Sequence, residues 1–105
     1  MNDKFLTLLG FAAKSGNLSY GMNSAVSSVK SGRAKMVLVC SDISDKSRKE
    51  ITFHCENKGI KVVNLNNCNI EAVSGAIGKR CGILSINDSS FANSVLRGLE
   101  QGGNV

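Results

Sequence analysis

Five consecutive apolar residues, Met36-Val37-Leu38-Val39-Cys40, flanked by helical patterns, constrain this chain more than any other feature. A strand with one wet face alternates polar and apolar residues, whereas an unbroken apolar run marks a strand covered on both faces. Helical and strand signals alternate around it. In Asn2–Lys14, Phe5, Leu8, Leu9, Ala12 and Ala13 share one helical face, and Ser15-Gly16-Asn17 ends the helix. Leu18–Tyr20 is long enough only for an edge strand. Met22–Ser31 reads as a second helix with Met22, Ala25, Val26 and Val29 inward and Gly32 as its stop. Ser44 caps a charged third helix that ends at Lys58-Gly59. Ile60–Leu65 follows as a strand, Asn66-Asn67 as a turn, and Asn69–Ile77 as a fourth helix stopped by Gly78. Gly82–Ile86 is a further strand. Asp88-Ser89 cap a last helix, Ser90–Leu99, with Phe91, Val95, Leu96 and Leu99 inward. The order α-β-α-β-α-β-α-β-α predicts one α/β domain over residues 1–105. Its expected architecture is a three-layer α/β/α sandwich with a central, mostly parallel or mixed sheet of about four strands, residues 100–105 forming a frayed tail.

No apolar run approaches the roughly 18 residues of a membrane span. Met1-Asn2-Asp3-Lys4 lacks the basic start of a secretion signal, so the chain reads as cytoplasmic, with no membrane partner. Cys40, Cys55, Cys68 and Cys81 form no Cys-x-x-Cys pair, and the single histidine, His54, adjoins only Cys55. Reduced structural thiols are expected rather than a metal site. The net charge of +5 is unevenly distributed. Between Asp3 and Asp42 there is no acidic residue, but there are Lys4, Lys14, Lys30, Arg33 and Lys35. A second acid-free window, Ala72 to Asn87, carries Lys79 and Arg80. Such segregation favours a polyanionic partner, a solvated basic face being the alternative.

Paired carboxylates in those windows, a Gly-x-Gly-x-x-Gly loop and a P-loop are missing from the sequence, and nothing in it argues for a nucleophile partner of His54. No enzyme, cofactor or small-molecule substrate is therefore expected. Two segments stand out instead. The outer face of the second helix carries Asn23, Ser24, Ser27 and Ser31, and Gly21 stands before it, where a backbone can come close to a ligand. A helix start presents free N–H groups to phosphate, and an Asn amide pairs a donor with an acceptor for a base edge. The serines are equally well accounted for as solvating side chains. The second segment is Gly78-Lys79-Arg80-Cys81-Gly82, a short basic connection. In an open parallel sheet, connections of one polarity gather along one edge, which would bring it near the start of the second helix; a helix stop with a helix-end cation explains it as simply.

These residues carry a resemblance. Gly21-Met22-Asn23, Ala25, Val29 and Gly32-Arg33-Ala34-Lys35-Met36-Val37-Leu38-Val39-Cys40-Ser41-Asp42 resemble the core signature of the kink-turn-binding ribosomal-protein family, the archaeal seven-a-e and eukaryotic thirty-e large-subunit group. Ala72–Lys79 is similar to its second binding region, and Ile83–Ala92 to its last strand and helix. Leu8–Leu18 is similar to the short bacterial YlxQ-like branch. The resemblance implies a protein that binds RNA bent sharply at a bulge beside tandem sheared G·A pairs. In the family, a Gly-x-Asn-Glu helix start reads those guanines, a basic residue three positions after the Glu supports it, and the later loop holds the extruded nucleotide. Gly21 and Asn23 keep the pattern. Ser24 replaces the Glu, and Ser27 the basic residue. The implied partner is structured RNA, ribosomal RNA or another kink-turn RNA, with the ribosome as setting. Charge, the polar helix face and the resemblance together give the candidate RNA contacts Lys14, Gly21, Asn23, Ser24, Ser27, Ser31, Gly78, Lys79, Arg80 and Cys81. A general structured-RNA binder without kink-turn selectivity, and a protein–protein adaptor on the same scaffold, are the competing readings.

Overall fold

The computed structural model describes residues 3–101, with side chains from residue 4 to residue 98. Five helices and four strands alternate: α1 (Asp3–Lys14), β1 (Leu18–Tyr20), α2 (Gly21–Lys30), β2 (Met36–Val39), α3 (Asp45–Lys58), β3 (Lys61–Asn64), α4 (Ile70–Ile77), β4 (Ile83–Ile86) and α5 (Ser89–Gln101). Expected starts and stops recur as caps. Ser44 accepts from the Ser47 N–H, Asn69 from Ala72 and Asp88 from Phe91. Gly59 and Gly78 close α3 and α4 in the left-handed region that glycine enters without penalty. α5 continues through Glu100 and Gln101, where a loose tail was expected. The inward placement of Leu99 and the helical start at Asn2 lie outside what is described.

The sheet is mixed, in the order β1-β4-β2-β3. β2 pairs parallel with β3, while β4 runs antiparallel to both β1 and β2. Strand–helix alternation is correctly tied to direction: β1, β2 and β3 all point the same way, because α2 and α3 each carry the chain back to the opposite edge. α4 does not. β3 ends and β4 begins at one edge, since Val39 pairs with both Asn64 and Ile83. The chain then descends between β1 and β2, which converts a parallel set into a mixed sheet.

Two apolar layers cover the sheet. Phe5, Leu9 and Ala12 of α1, Val73 and Ile77 of α4, and Ala92 and Val95 of α5 pack with Leu38, Leu84 and Ile86 on one face. Ala25 and Val29 of α2 and Ile51 and Cys55 of α3 pack with Val37, Val39 and Ile83 on the other. Every residue of β2 and β4 is buried, as the apolar run demands. β1 is the expected edge strand. Of the inward residues expected in α5, Val95 is fully buried, and Phe91 and Leu96 pack half-buried at the rim of the core.

One buried feature breaks the apolar pattern. Ser28 of α2 points inward and shares a 2.6 Å hydrogen bond with Ser19 of β1. Asn87 donates to the Ser19 hydroxyl at 2.9 Å and accepts from the Ser85 hydroxyl at 2.9 Å. Ser85 has no exposed surface, so its hydroxyl depends on Asn87. Replacing Asn87 by Ala leaves that hydroxyl without its acceptor and should cost about 1–3 kcal/mol in chemical denaturation. The double change Asn87→Ala, Ser85→Ala should recover part of the loss, and a single variant as stable as wild type would show the network to be dispensable.

Candidate nucleic-acid interface

The register places the start of α2 and the α4–β4 connection side by side. Tyr20 ends β1 opposite Leu84, the second residue of β4, so residues 78–82 lead into the sheet next to residues 20–21. The Lys79 ammonium lies over the Tyr20 ring, 5.1 Å from its centroid, a cation–π contact. The Gly21 backbone lies close enough to the Cys81 thiol to favour its thiolate. Antiparallel pairing of β1 with β4 brings about this approach, rather than the gathering of loops in a parallel sheet.

The connection is held from below. Gly78 closes α4 with φ +78°, its N–H reaching the Ser74 carbonyl at 2.9 Å, and the Cys81 N–H donates to the Ser74 hydroxyl at 3.3 Å. The Cys40 N–H donates to the Gly82 carbonyl at 2.9 Å. A Cβ on Gly82 would stand 2.7 Å from Ile43 Cδ1 and 3.1 Å from Ile70 Cγ1, so close packing explains this glycine. Asp42 accepts from the Ile70 N–H at 2.8 Å and joins the β2–α3 loop to the start of α4. Lys79 and Arg80 remain exposed above this frame.

α2 begins differently from α3, α4 and α5. Its first residue, Gly21, has φ +87°, a conformation that disfavours any other residue. No side chain caps it, and its first turn holds no acid. Asn23, Ser24 and Ser27 are exposed on its outer face beside the loop. Ser31 is also exposed, but it is the C-cap at the other end, with its hydroxyl on the Ser28 carbonyl at 3.2 Å. Eight residues of helix put it about 12 Å from Asn23. Lys14 lies apart as well. It ends α1, close to Asn17, whose carbonyl accepts from Asn87 beyond the end of β4. There it lines an open groove of about 510 Å³ with Leu6, Phe11 and Gly75. The structure thus brings Gly21, Asn23, Ser24, Ser27, Gly78, Lys79, Arg80 and Cys81 together and leaves Lys14 and Ser31 outside.

Tyr20 is the residue at this edge that the sequence reading missed. A three-residue strand hid it, and its only signal was being the sole tyrosine, just before the glycine. Burial, helped by the neighbouring Cys81 thiol, raises its hydroxyl above the ordinary pKa, so the phenol stays protonated at neutral pH. Among the described residues no group of three or more His, Cys, Asp or Glu is placed to hold a metal ion, and no helix is long and apolar enough to cross a membrane.

A chain with this fold and this pairing of a glycine-led helix with a basic loop falls among the small α/β proteins of the ribosomal type. Residues 3–95 match the Ribosomal protein L7Ae/L30e/S12e/Gadd45 family, and the chain belongs to it. A solved structure from Bacillus halodurans, described as a protein with unknown function, superposes with TM-score 0.86 at 26% identity, covering 92% of this chain and 97% of that one. The Giardia lamblia 15.5kD RNA binding protein superposes with TM-score 0.72 at 23% identity, covering 91% of this chain and 82% of that one. No curated protein matches the chain.

All four cysteines are free, and Cys40, Cys55 and Cys68 are buried. Burial pushes the Cys40 thiol up to about 12 and the Cys55 thiol to about 11; Cys81 and Asp42 add to the shift at Cys40. Cys81 is raised by burial too, but Gly21 and Lys79 pull it back toward the thiolate. In the native protein a thiol reagent should therefore modify Cys81 first, and the other three only on unfolding, read by intact mass with peptide mapping. Because the folded state holds these thiol protons more tightly, stability is intact below the unfolded thiol pKa of about 9 and falls as pH rises from there towards 12. Early modification of Cys55 would contradict this burial order.

Proposed function

We propose that this protein is a non-catalytic binder of structured RNA that reads a kink-turn with the sheet edge formed by the start of α2 and the α4–β4 loop, in a ribosome-associated setting. The observation that carries the proposal is the placement of Lys79 over Tyr20 and of Cys81 against Gly21, which joins two separate segments into one surface. The family supports an RNA partner, and the Giardia relative of like fold is described as an RNA binding protein. On this surface Asn23 presents a donor and an acceptor to a base edge, as sheared G·A recognition in a groove requires. Lys79 and Arg80 meet phosphate or the extruded nucleotide, and the uncapped start of α2 offers backbone N–H groups to the RNA backbone.

Ser24 and Ser27 favour a second reading, a structured-RNA binder of low kink-turn selectivity. A hydroxyl accepts a guanine amino proton more weakly than a carboxylate does, and Ser27 supplies no charge to a phosphate. Titration against a kink-turn and against the same RNA with its G·A pairs made Watson–Crick separates the two. On the kink-turn reading, Asn23→Ala costs about 1–3 kcal/mol on the kink-turn and much less on the control. The double change Ser24→Glu, Ser27→Lys tightens kink-turn binding alone, with little effect on folding because both positions are exposed. Equal weakening of both RNAs by Asn23→Ala would leave the general binder as the correct description.

A further inference from the structure

The chain's excess positive charge does not lie only at the edge just described. Around the start of α2, Lys79 and Arg80, with Lys46 and Arg48 of the first turn of α3, are accompanied by Asp42 and Asp45. At the opposite edge α2 and α3 both end, and β2 and β3 both begin, with Met36 paired to Lys61. Lys30, Arg33, Lys35, Lys58 and Lys61 come together there, and all five are exposed. Segments 30–36 and 57–62 contain no acid. The nearest acidic residues are Glu56, in the last turns of α3, and Asp88, whose carboxylate is engaged by the Phe91 N–H at the start of α5. These five cations equal the chain's net charge of +5 in number, the other eight cations being balanced by eight acidic residues.

Helix ends alone do not account for the cluster. Lys30 and Lys58 occupy the last turns of α2 and α3, where a cation offsets the negative end of the helix dipole. Arg33, Lys35 and Lys61 lie beyond the helices, and their charges add repulsion that the fold does not use. Apolar anchors, which a protein partner needs, are absent: neither of the exposed large apolar residues, Phe11 and Phe53, belongs to these segments. Small polar residues, Ser31 and Gly32, fill the intervening surface.

We infer that this far edge is a second polyanion-binding surface that takes the phosphate backbone of an RNA duplex, independently of base recognition at the α2 start. The inference rests on the RNA-binding reading for its partner class but not on kink-turn selectivity. α2 spans the distance between the surfaces, about 15 Å for ten residues. With the recognition edge filled, the far edge stays open, and the protein bridges two RNA segments.

The test uses the full chain with two probes, a 20-bp straight RNA duplex and a separate kink-turn. The triple variant Lys30→Gln, Arg33→Gln, Lys35→Gln should bind the duplex at least tenfold more weakly and lower the log–log salt slope by about 3, one unit per lost phosphate contact. Lys58→Gln with Lys61→Gln should act in the same direction, while Asn23→Ala should weaken duplex binding far less than either. Wild-type protein held on an immobilised kink-turn should retain labelled duplex, and the triple variant should not. Unchanged duplex affinity in the triple variant overturns the inference. So does displacement of the duplex by a single equivalent of kink-turn, enough only to fill the recognition edge, which would mean a single site, or tighter binding of a polyglutamate peptide than of the duplex, which would mark a surface for acidic proteins. If kink-turn selectivity fails while these five residues still govern duplex binding, the proposed recognition edge is wrong and the far edge stands.

Discussion

The insertion of β4 between β1 and β2 is the arrangement on which the rest of the molecule depends. β4 is buried along its length and supplies hydrogen bonds to both neighbours, so neither β1 nor the β2–β3 pair belongs to a common sheet without it. Its antiparallel course also sets which loops meet. The last residue of β1 comes next to the first residues leading into β4, and the glycine-led helix and the basic connection share one edge for that reason alone. A parallel β4 in the same slot would send its entry loop to the opposite edge.

The five-residue apolar run and the helix faces made most of this fold legible. Caps were legible too, because Ser44, Asp88, Gly59 and Gly78 act through local chemistry that a few neighbouring residues determine. Pairing was not, since a strand's neighbours are fixed by long-range packing that no periodicity records. The buried Ser28 shows the same limit. It occupies a helical position next to Val29 and looks solvent-facing by composition, yet its partner Ser19 lies on another element.

The site was legible as two segments and illegible as one surface. Asn23, Ser24 and Ser27 emerge from spacing on a helix, but Ser31 follows the same spacing and lies a helix-length away at the other edge. Charge was the more misleading guide. Five cations in an acid-free stretch suggest one basic face, whereas the fold disperses Lys4 and Lys14 along α1 and collects Lys30, Arg33 and Lys35 with Lys58 and Lys61 from a later part of the chain. Sequence proximity of charges says little about the field they make until the topology is known.

α2 is a helix with two unlike sides. Its inner side is pinned, with Ala25 and Val29 in the core and Ser28 bonded to β1, so the helix can neither slide nor rotate without breaking a buried contact. Its outer side, at positions 23, 24 and 27, carries almost none of that burden. Substitutions there should leave the scaffold intact, which makes the strip a natural place for libraries of altered surface chemistry. A helix pinned on one side and unburdened on the other is a rod whose outer surface can be rewritten while its position stays fixed.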